Sequence, residues 1–348
     1  MIQISPETQL FIREHSSDDV RALALQAKKY PDINMPTAIT QIAGRQVAAE
    51  KIPSWREIEE IWYPKHLSLE QCSSEITARY KARLLQGDSL TDLTGGFGID
   101  CSFLATGFKT ATYVERQEEL CEIAAHNFPI LNLNHINVRN EDGVAYLQSM
   151  SPVDCIFLDP ARRNEHGGKT VAISDCEPNV AELEALLLSK ANRVMIKLSP
   201  MLDLSLALKE LKHTQEIHIL SVNNECKELL ILLGQTSPAE IAIHCVNLLT
   251  KGTQEEQHLV FTREQEQRSQ CTYTDSLGNY LYEPNASLLK AGAFRSIAAA
   301  YPVRKLHPNS HLYTSDSFIE NFPGRIFRIV NQCSFNKKEV KENLADLK

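Results

Sequence analysis

The spacing of apolar residues changes character once along the chain. Over the first seventy residues they recur at helical intervals. Ser5-Pro6-Glu7 opens one helix, Ser17-Asp18-Asp19 caps a second whose apolar positions Val20, Leu23, Leu25 and Ala27 run to Tyr30-Pro31, and Pro36-Thr37 starts a third. Trp55, Ile58, Ile61 and Trp62 keep the same spacing, which marks a packing face and completes an N-terminal helical region, 1–72. From residue 73 a helix to residue 85 leads into short runs of Val, Ile and Leu separated by helical segments. Strands are predicted at 89–94, 110–115, 136–139, 153–158, 192–198, 216–222 and 228–233, with helices near 98–106, 117–128, 178–190 and 203–212. This alternation predicts an α/β fold over 73–250, a doubly wound parallel sheet whose ligand crevice lies at the C-terminal ends of the strands. Strand-like stretches at 240–249 and 258–263, a polar run from Arg263 to Gln270, a helical Pro284–Ala300, a strand at 324–330 and a charged helix at 336–347 follow. They predict a small α+β accessory region, 251–348, whose last two elements read as the opening half of a larger unit.

Composition narrows the class. At 348 residues the chain has room for two or three domains. It is 43% hydrophobic and 23% charged with a mean hydropathy of −0.26. No apolar run approaches the roughly 18 residues of a membrane span, so a globular protein without a membrane partner is expected. The N-terminal residues lack the pattern of a signal peptide, and a cytoplasmic location is the expectation. Nine cysteines without a CxxC pair read as buried small hydrophobes in a reducing compartment. Eleven histidines show no HExxH pattern, so no metal is indicated. The net charge is −8, but residues 285–348 hold ten Lys or Arg against five Asp or Glu. A polyanion would meet that segment first.

The strongest chemical signal is DLTGGFGID at 92–100, placed after a strand and opening a helix. Gly95, Gly96 and Gly98 permit positive φ and a close ligand, and the helix start offers unpaired N–H groups. A dinucleotide fingerprint would need a third glycine where Cys101 stands, which disfavours NAD and FAD. The next strand ends in Tyr113-Val114-Glu115, where a carboxylate can accept both hydroxyls of a ribose. The third ends in Asn140-Glu141-Asp142-Gly143, placing an acid for the exocyclic amine of an adenine. The fourth ends in Asp159-Pro160-Ala161-Arg162-Arg163. Four successive strands therefore end in acids, although any one of them has an ordinary reading as a turn or a helix cap.

Taken together and in this order, these residues resemble the signature of class I S-adenosylmethionine-dependent methyltransferases over about 73–235. The runs SSEITARYKARLL, DLTGGFGID, DPARR and IKLSP are similar to a bacterial methyltransferase family with a THUMP-like C-terminal region. The resemblance implies a Rossmann-like seven-stranded methyltransferase sheet and S-adenosyl-L-methionine as cofactor. It implies cofactor contacts at Asp92, Thr94, Gly95, Gly96, Gly98, Glu115, Asp142 and Asp159, with Thr77 and Lys81 on the preceding helix as further candidates. Asp159-Pro160-Ala161-Arg162 resembles the (D/N)PP(Y/F/R) motif of nucleic-acid methyltransferases, departing from it at Ala161. It makes Asp159, Pro160 and Arg162 the catalytic candidates, while Arg162, Arg163 and Lys197 are the candidates for gripping substrate, though simple salt bridges fit the three cations as well.

Uridine-C5 methyltransferases place a catalytic cysteine at the next strand end, but the strand here ends in Ile196-Lys197-Leu198-Ser199-Pro200, which disfavours covalent catalysis. The expected reaction is direct in-line methyl transfer to a base of structured RNA, tRNA or rRNA. Arg295, Arg304, Lys305, His307, His311, Arg325, Arg328, Lys337, Lys338 and Lys341 give the C-terminal part a modest basic bias suited to phosphates. A small-molecule or protein acceptor and a non-catalytic cofactor-binding module stay open as alternatives.

Overall fold

The computed structural model describes residues 4–162, 172–252 and 255–345. The chain divides into two compact units, Met1–Gln215 with Ile231–Ser237, and Glu216–Leu230 with Pro238–Lys348.

In the first unit, helices Pro6–Glu14, Val20–Leu25 and Met35–Lys51 begin where the sequence places their caps, with Ser5, Asp19 and Asn34 accepting backbone N–H bonds. Phe11, Ile12, Leu23, Met35, Ala38 and Ile42 close one core. Trp55, Ile61, Tyr63, Ala78, Phe97, Ile99 and Ile123 close a second, which joins the helical region to the glycine loop and the helix after the second strand. Two amide side chains fix that join as a strand partner would. Gln41 donates to the Tyr63 carbonyl and accepts its N–H at 2.9 and 3.0 Å, and Asn127 does the same for Trp62 at 2.8 and 2.9 Å. Each buried backbone pair is satisfied without a strand being present.

The unit's sheet contains β1 (Ser89–Asp92), β2 (Thr110–Glu115), β3 (Ile136–Asn140), β4 (Val153–Leu158) and β5 (Ala191–Leu198). They are parallel in the order β3-β2-β1-β4-β5. Chain order reverses beside β1, so the switch point sits where β1 and β4 part, the expected place for a ligand. Leu90, Tyr113, Val114, Ile156, Phe157, Val194 and Ile196 are buried, as near-continuous apolar strands with helices on both faces must be. The described elements fit the predicted Rossmann-like sheet, with boundaries moved by a residue or two.

β6 (Thr214–Val222), in the second unit from Glu216 onward, turns through Asn223 and Asn224, both at positive φ, into β7 (Glu225–Gly234), which belongs to that unit as far as Leu230. β8 (Ala242–Leu248) lies parallel to β6, and β9 (Glu256–Phe261) is antiparallel to β8, giving the order β9-β8-β6-β7. The strand-like stretches after residue 238 therefore extend this sheet. A separate antiparallel sheet joins Arg304–Lys305, β11 (Tyr313–Ser315), β10 (Tyr280–Pro284) and β12 (Gly324–Arg328) in that order. The helical stretch predicted at 284–300 is two helices, Ala286–Ala291 and Ser296–Ala300, because Gly292 takes a left-handed φ of 75° and ends the first. The polar run after residue 262 is itself a short helix, Arg263–Arg268, opened by a Thr262–Gln265 capping box. No helix among the described residues is long and apolar enough to cross a membrane. All nine cysteines are free thiols.

Candidate active site

The loop after β1 is shaped by its own backbone and by β2. The Gly95 N–H donates to the Val114 carbonyl at 2.9 Å and the Gly98 N–H to the Gly95 carbonyl at 2.8 Å. Gly96 and Gly98 take φ of 54° and 86°, which side chains resist. At Gly95 the constraint is contact, since a Cβ there would stand 2.2 Å from the Tyr113 ring, whose hydroxyl donates to the Gly96 carbonyl.

Glu115 ends β2 and is 8% exposed. Its Oε2 accepts the Gly96 N–H at 2.9 Å and its Oε1 the Gln117 N–H at 2.8 Å. Both of these holders are neutral, so the carboxylate is aimed without being neutralised, and each oxygen keeps a second acceptor position. Asn140, at the end of β3, donates to the carbonyls of Glu115 and Arg116 at 3.0 and 3.1 Å and ties the two strand tips together. Asp142 is exposed and caps the Gly143–Ser149 helix through Oδ1, at 3.0 Å from the Val144 and Ala145 N–H groups. That bonding uses one carboxylate oxygen.

Asp92 is buried at the end of β1. Its Oδ1 accepts the Thr94 N–H at 3.0 Å, while its buried Oδ2 has no hydrogen-bond partner. Desolvation pushes its pKa well above the usual carboxylate range, and Asp100, Asp159 and Glu115 add to the rise. An orphaned carboxyl oxygen costs about 1–3 kcal/mol or more, so this is a position that gains from a donor.

The Asp159 N–H donates to the Thr94 hydroxyl at 2.6 Å, which joins the tips of β1 and β4. Its carboxylate is ion-paired with Lys197 from the end of β5. Burial raises the Asp159 pKa against the pull of that cation. Pro160 is buried, and Ala161–Arg162 leave the sheet to form a short antiparallel ladder with Cys176–Glu177. The Arg162 side chain and Arg163 lie outside the described residues.

Of the candidates on the Glu75–Ala82 helix, Thr77 is buried and its hydroxyl donates to the Ser74 carbonyl at 3.0 Å. Lys81 is fully buried, donating to Ser73 Oγ at 2.8 Å and standing 2.9 Å from Asp100 Oδ1. Ser73 Oγ donates to Asp100 Oδ2 at 2.7 Å. Burial works to raise the Asp100 pKa, but Lys81 and Lys197 together with the bonds from Lys81 and Ser73 hold it below the ordinary value. Asp100 lies in the first turn after the glycine loop, so this internal cluster clamps that turn to the preceding helix. Sequence reading found Lys81 but missed Ser73 and Asp100, whose only signal is an acid in the first turn of a helix.

The structure thus brings Asp92, Thr94, the three glycines, Glu115, Asp159 and Lys197 to one edge of the parallel sheet. Asp142 stands at the start of the helix after β3, and Lys81 faces Asp100.

Among solved structures, a protein from Porphyromonas gingivalis W83, provisionally described as a methyltransferase, matches 99% of this chain and 87% of its own at 34% identity, with a TM-score of 0.84. The chain belongs to that protein's family. Residues 280–323 also match the profile of a ferredoxin-like domain, and these residues include β10, β11 and the two short helices between them. A methyltransferase-like protein of Streptococcus mutans solved with S-adenosyl-homocysteine is 12% identical over 46% of this chain and 96% of its own, with a TM-score of 0.33. The TrmK protein of M. capricolum, also with S-adenosyl-homocysteine, is 12% identical over 46% and 68%, with a TM-score of 0.36. At those scores the likeness carries no argument here. No curated protein matches the sequence.

Proposed function

We propose that the chain is an S-adenosyl-L-methionine-dependent methyltransferase that modifies a base of structured RNA, tRNA or rRNA, with residues 73–250 as its catalytic part and 251–348 as a THUMP-like accessory region. The observation that carries the cofactor reading is Glu115, a nearly buried carboxylate held by two neutral N–H groups at the second strand tip. It fits a pair of ribose hydroxyls, and the orphaned Asp92 Oδ2 fits a donor on the same ligand. Gly96 leaves the loop backbone open to the ligand, Gly95 and Gly98 let the loop pack on Tyr113 and Phe128, and the second Asp142 oxygen suits an adenine amine. Thr94 holds the Asp159 backbone, Lys81 fixes the start of the helix after the loop through Asp100, and Thr77 closes the start of its own helix.

When bound, the cofactor supplies a methyl group already activated on a cationic sulfur. The chain's own residues then have limited work. Asp159, with Pro160 and Arg162 beside it, orients the acceptor amine, and its carboxylate takes the proton that amine gives up once methylated. Lys197 holds Asp159, and Arg162 and Arg163 contact the RNA.

The RNA reading is supported by the C-terminal surface, where Phe318, Phe327 and Phe335 are exposed together with Arg328, Lys337, Lys338 and Lys341. Aromatic faces interleaved with cations suit unstacked bases and phosphates. Part of the basic bias is used internally: Arg304 pairs with Asp316, Arg325 with Glu283, and Lys305 is buried with its ammonium on the Pro308 carbonyl. Mass spectrometry of nucleosides from a deletion strain and its parent tests the assignment. One methylated nucleoside is expected to vanish and to return when the purified protein and cofactor are added to the deletion strain's RNA; an unchanged profile would overturn the RNA acceptor.

A further inference from the structure

Four metal-ligating side chains share one face of β6, β8 and β9. Glu216 and His218 stand two residues apart on β6, so they project to the same side of the sheet. His244 on β8 is the register partner of His218. On β9, Val260 faces His244 and His258 faces Val246, which makes His258 a diagonal neighbour of His244 on that side. His218 Nε2 lies 3.3 Å from Glu216 Oε2, and His244 Nδ1 lies 3.2 Å from His258 Nε2. One ligand atom from each of Glu216, His218 and His244 falls within 4.8 Å of the others. The His218 and His244 rings are stacked at 4.3 Å.

We propose that Glu216, His218, His244 and His258 form a binding site for a divalent transition-metal ion of the zinc type. Zinc bound at about 2.0–2.1 Å in a tetrahedron sets neighbouring ligand atoms about 3.3–3.4 Å apart, and the two closest pairs already have nearly that separation. Imidazoles with one carboxylate suit zinc, cobalt, nickel and copper rather than calcium or magnesium. The half-buried His244 has its pKa lowered to about 4, by desolvation first and by His218 and His258 next, so it is neutral near pH 7, the form that ligates. Buried His218 supplies a fixed corner, while His258 is exposed and His244 partly so. Coordination requires the His244 ring to turn out of its stack with His218. The ion would tie the edge strand β9 to the two strands inside it.

The test uses the full chain stripped with chelator and titrated with Zn²⁺ or Co²⁺ alone. One equivalent is expected to bind and raise the melting temperature, and Co²⁺ is expected to give the intense visible absorption of a four-coordinate ion. His244→Ala and His258→Ala should each weaken binding at least tenfold and Glu216→Gln a few-fold, with His307→Ala as an unaffected control. The less buried positions are chosen because His218→Ala risks the fold. Equal binding by wild type and the His244→Ala/His258→Ala double variant, or a Co²⁺ spectrum without that absorption, would reduce the cluster to a packed stack of rings and overturn the site.

Discussion

The acids at the tips of β1 to β3 and those of the C-terminal sheet are held by different partners. Glu115 and Asp142 accept neutral backbone N–H groups, as does one oxygen of Asp92. In the C-terminal sheet Asp316 and Glu283 meet arginines, at 3.1 and 2.8 Å. Glu266 there closes a helix start, with Oε1 on the Phe294 and Arg295 N–H groups at 3.0 and 2.8 Å and Oε2 on the Ser296 N–H and hydroxyl at 2.8 and 2.7 Å. A carboxylate oriented by one or two amides keeps acceptor positions for something else, whereas one matched by a guanidinium, or filled by four donors as Glu266 is, is complete. Unfilled acceptor positions, more than the number of acids, mark these three strand tips as a ligand site.

Removing Glu115 attacks the contrast most directly. Two charge-assisted bonds to a ribose at about 1.5–3 kcal/mol each predict that Glu115→Ala loses on the order of a hundredfold or more in S-adenosylmethionine affinity by calorimetry, with the fold retained. Wild-type affinity would return Glu115 to the scaffold class. Asp159→Ala should abolish methyl transfer while cofactor affinity stays within a few-fold, measured by turnover and titration on the same preparation; undiminished turnover would remove its role. Glu266→Ala should do the reverse, lowering stability by about 2 kcal/mol in urea unfolding with cofactor affinity unchanged. The remaining prediction concerns pH. His244 takes its proton near pH 6.5 when unfolded and near 4 when folded, so the unfolded state holds more protons between those values and stability falls as pH drops through that window. His244→Asn should flatten that part of a metal-free stability profile, and an unchanged slope would count against the lowered value.

The strand and helix alternation was legible because it is local, and so were the glycines and the strand-end acids, which occupy fixed places relative to it. The bonds that assemble the site were not. Thr94 and Asp159 are 65 residues apart, Ser73 and Asp100 27, and Glu266 and Phe294 28, with no spacing rule to connect them. Lys81 shows the cost of reading one element alone. The resemblance offered it as a ligand contact on the helix before the loop, while the partner it meets, Asp100, follows a loop the periodicity cannot place. The histidines escaped because a helical interval was sought, whereas strands bring residues together two apart and across neighbours, as Glu216, His218 and His244 are. Strands β10 and β11 were missed outright.

The packing of Tyr113 against Gly95 makes two distant positions into one heritable unit. A methyl at 95 has no space unless the ring retreats, and a retreating ring takes its hydroxyl from the Gly96 carbonyl. Homologous chains should therefore vary at 95 only where 113 has already shrunk, and a lineage that lost the tyrosine would find its way back closed once a side chain had moved in.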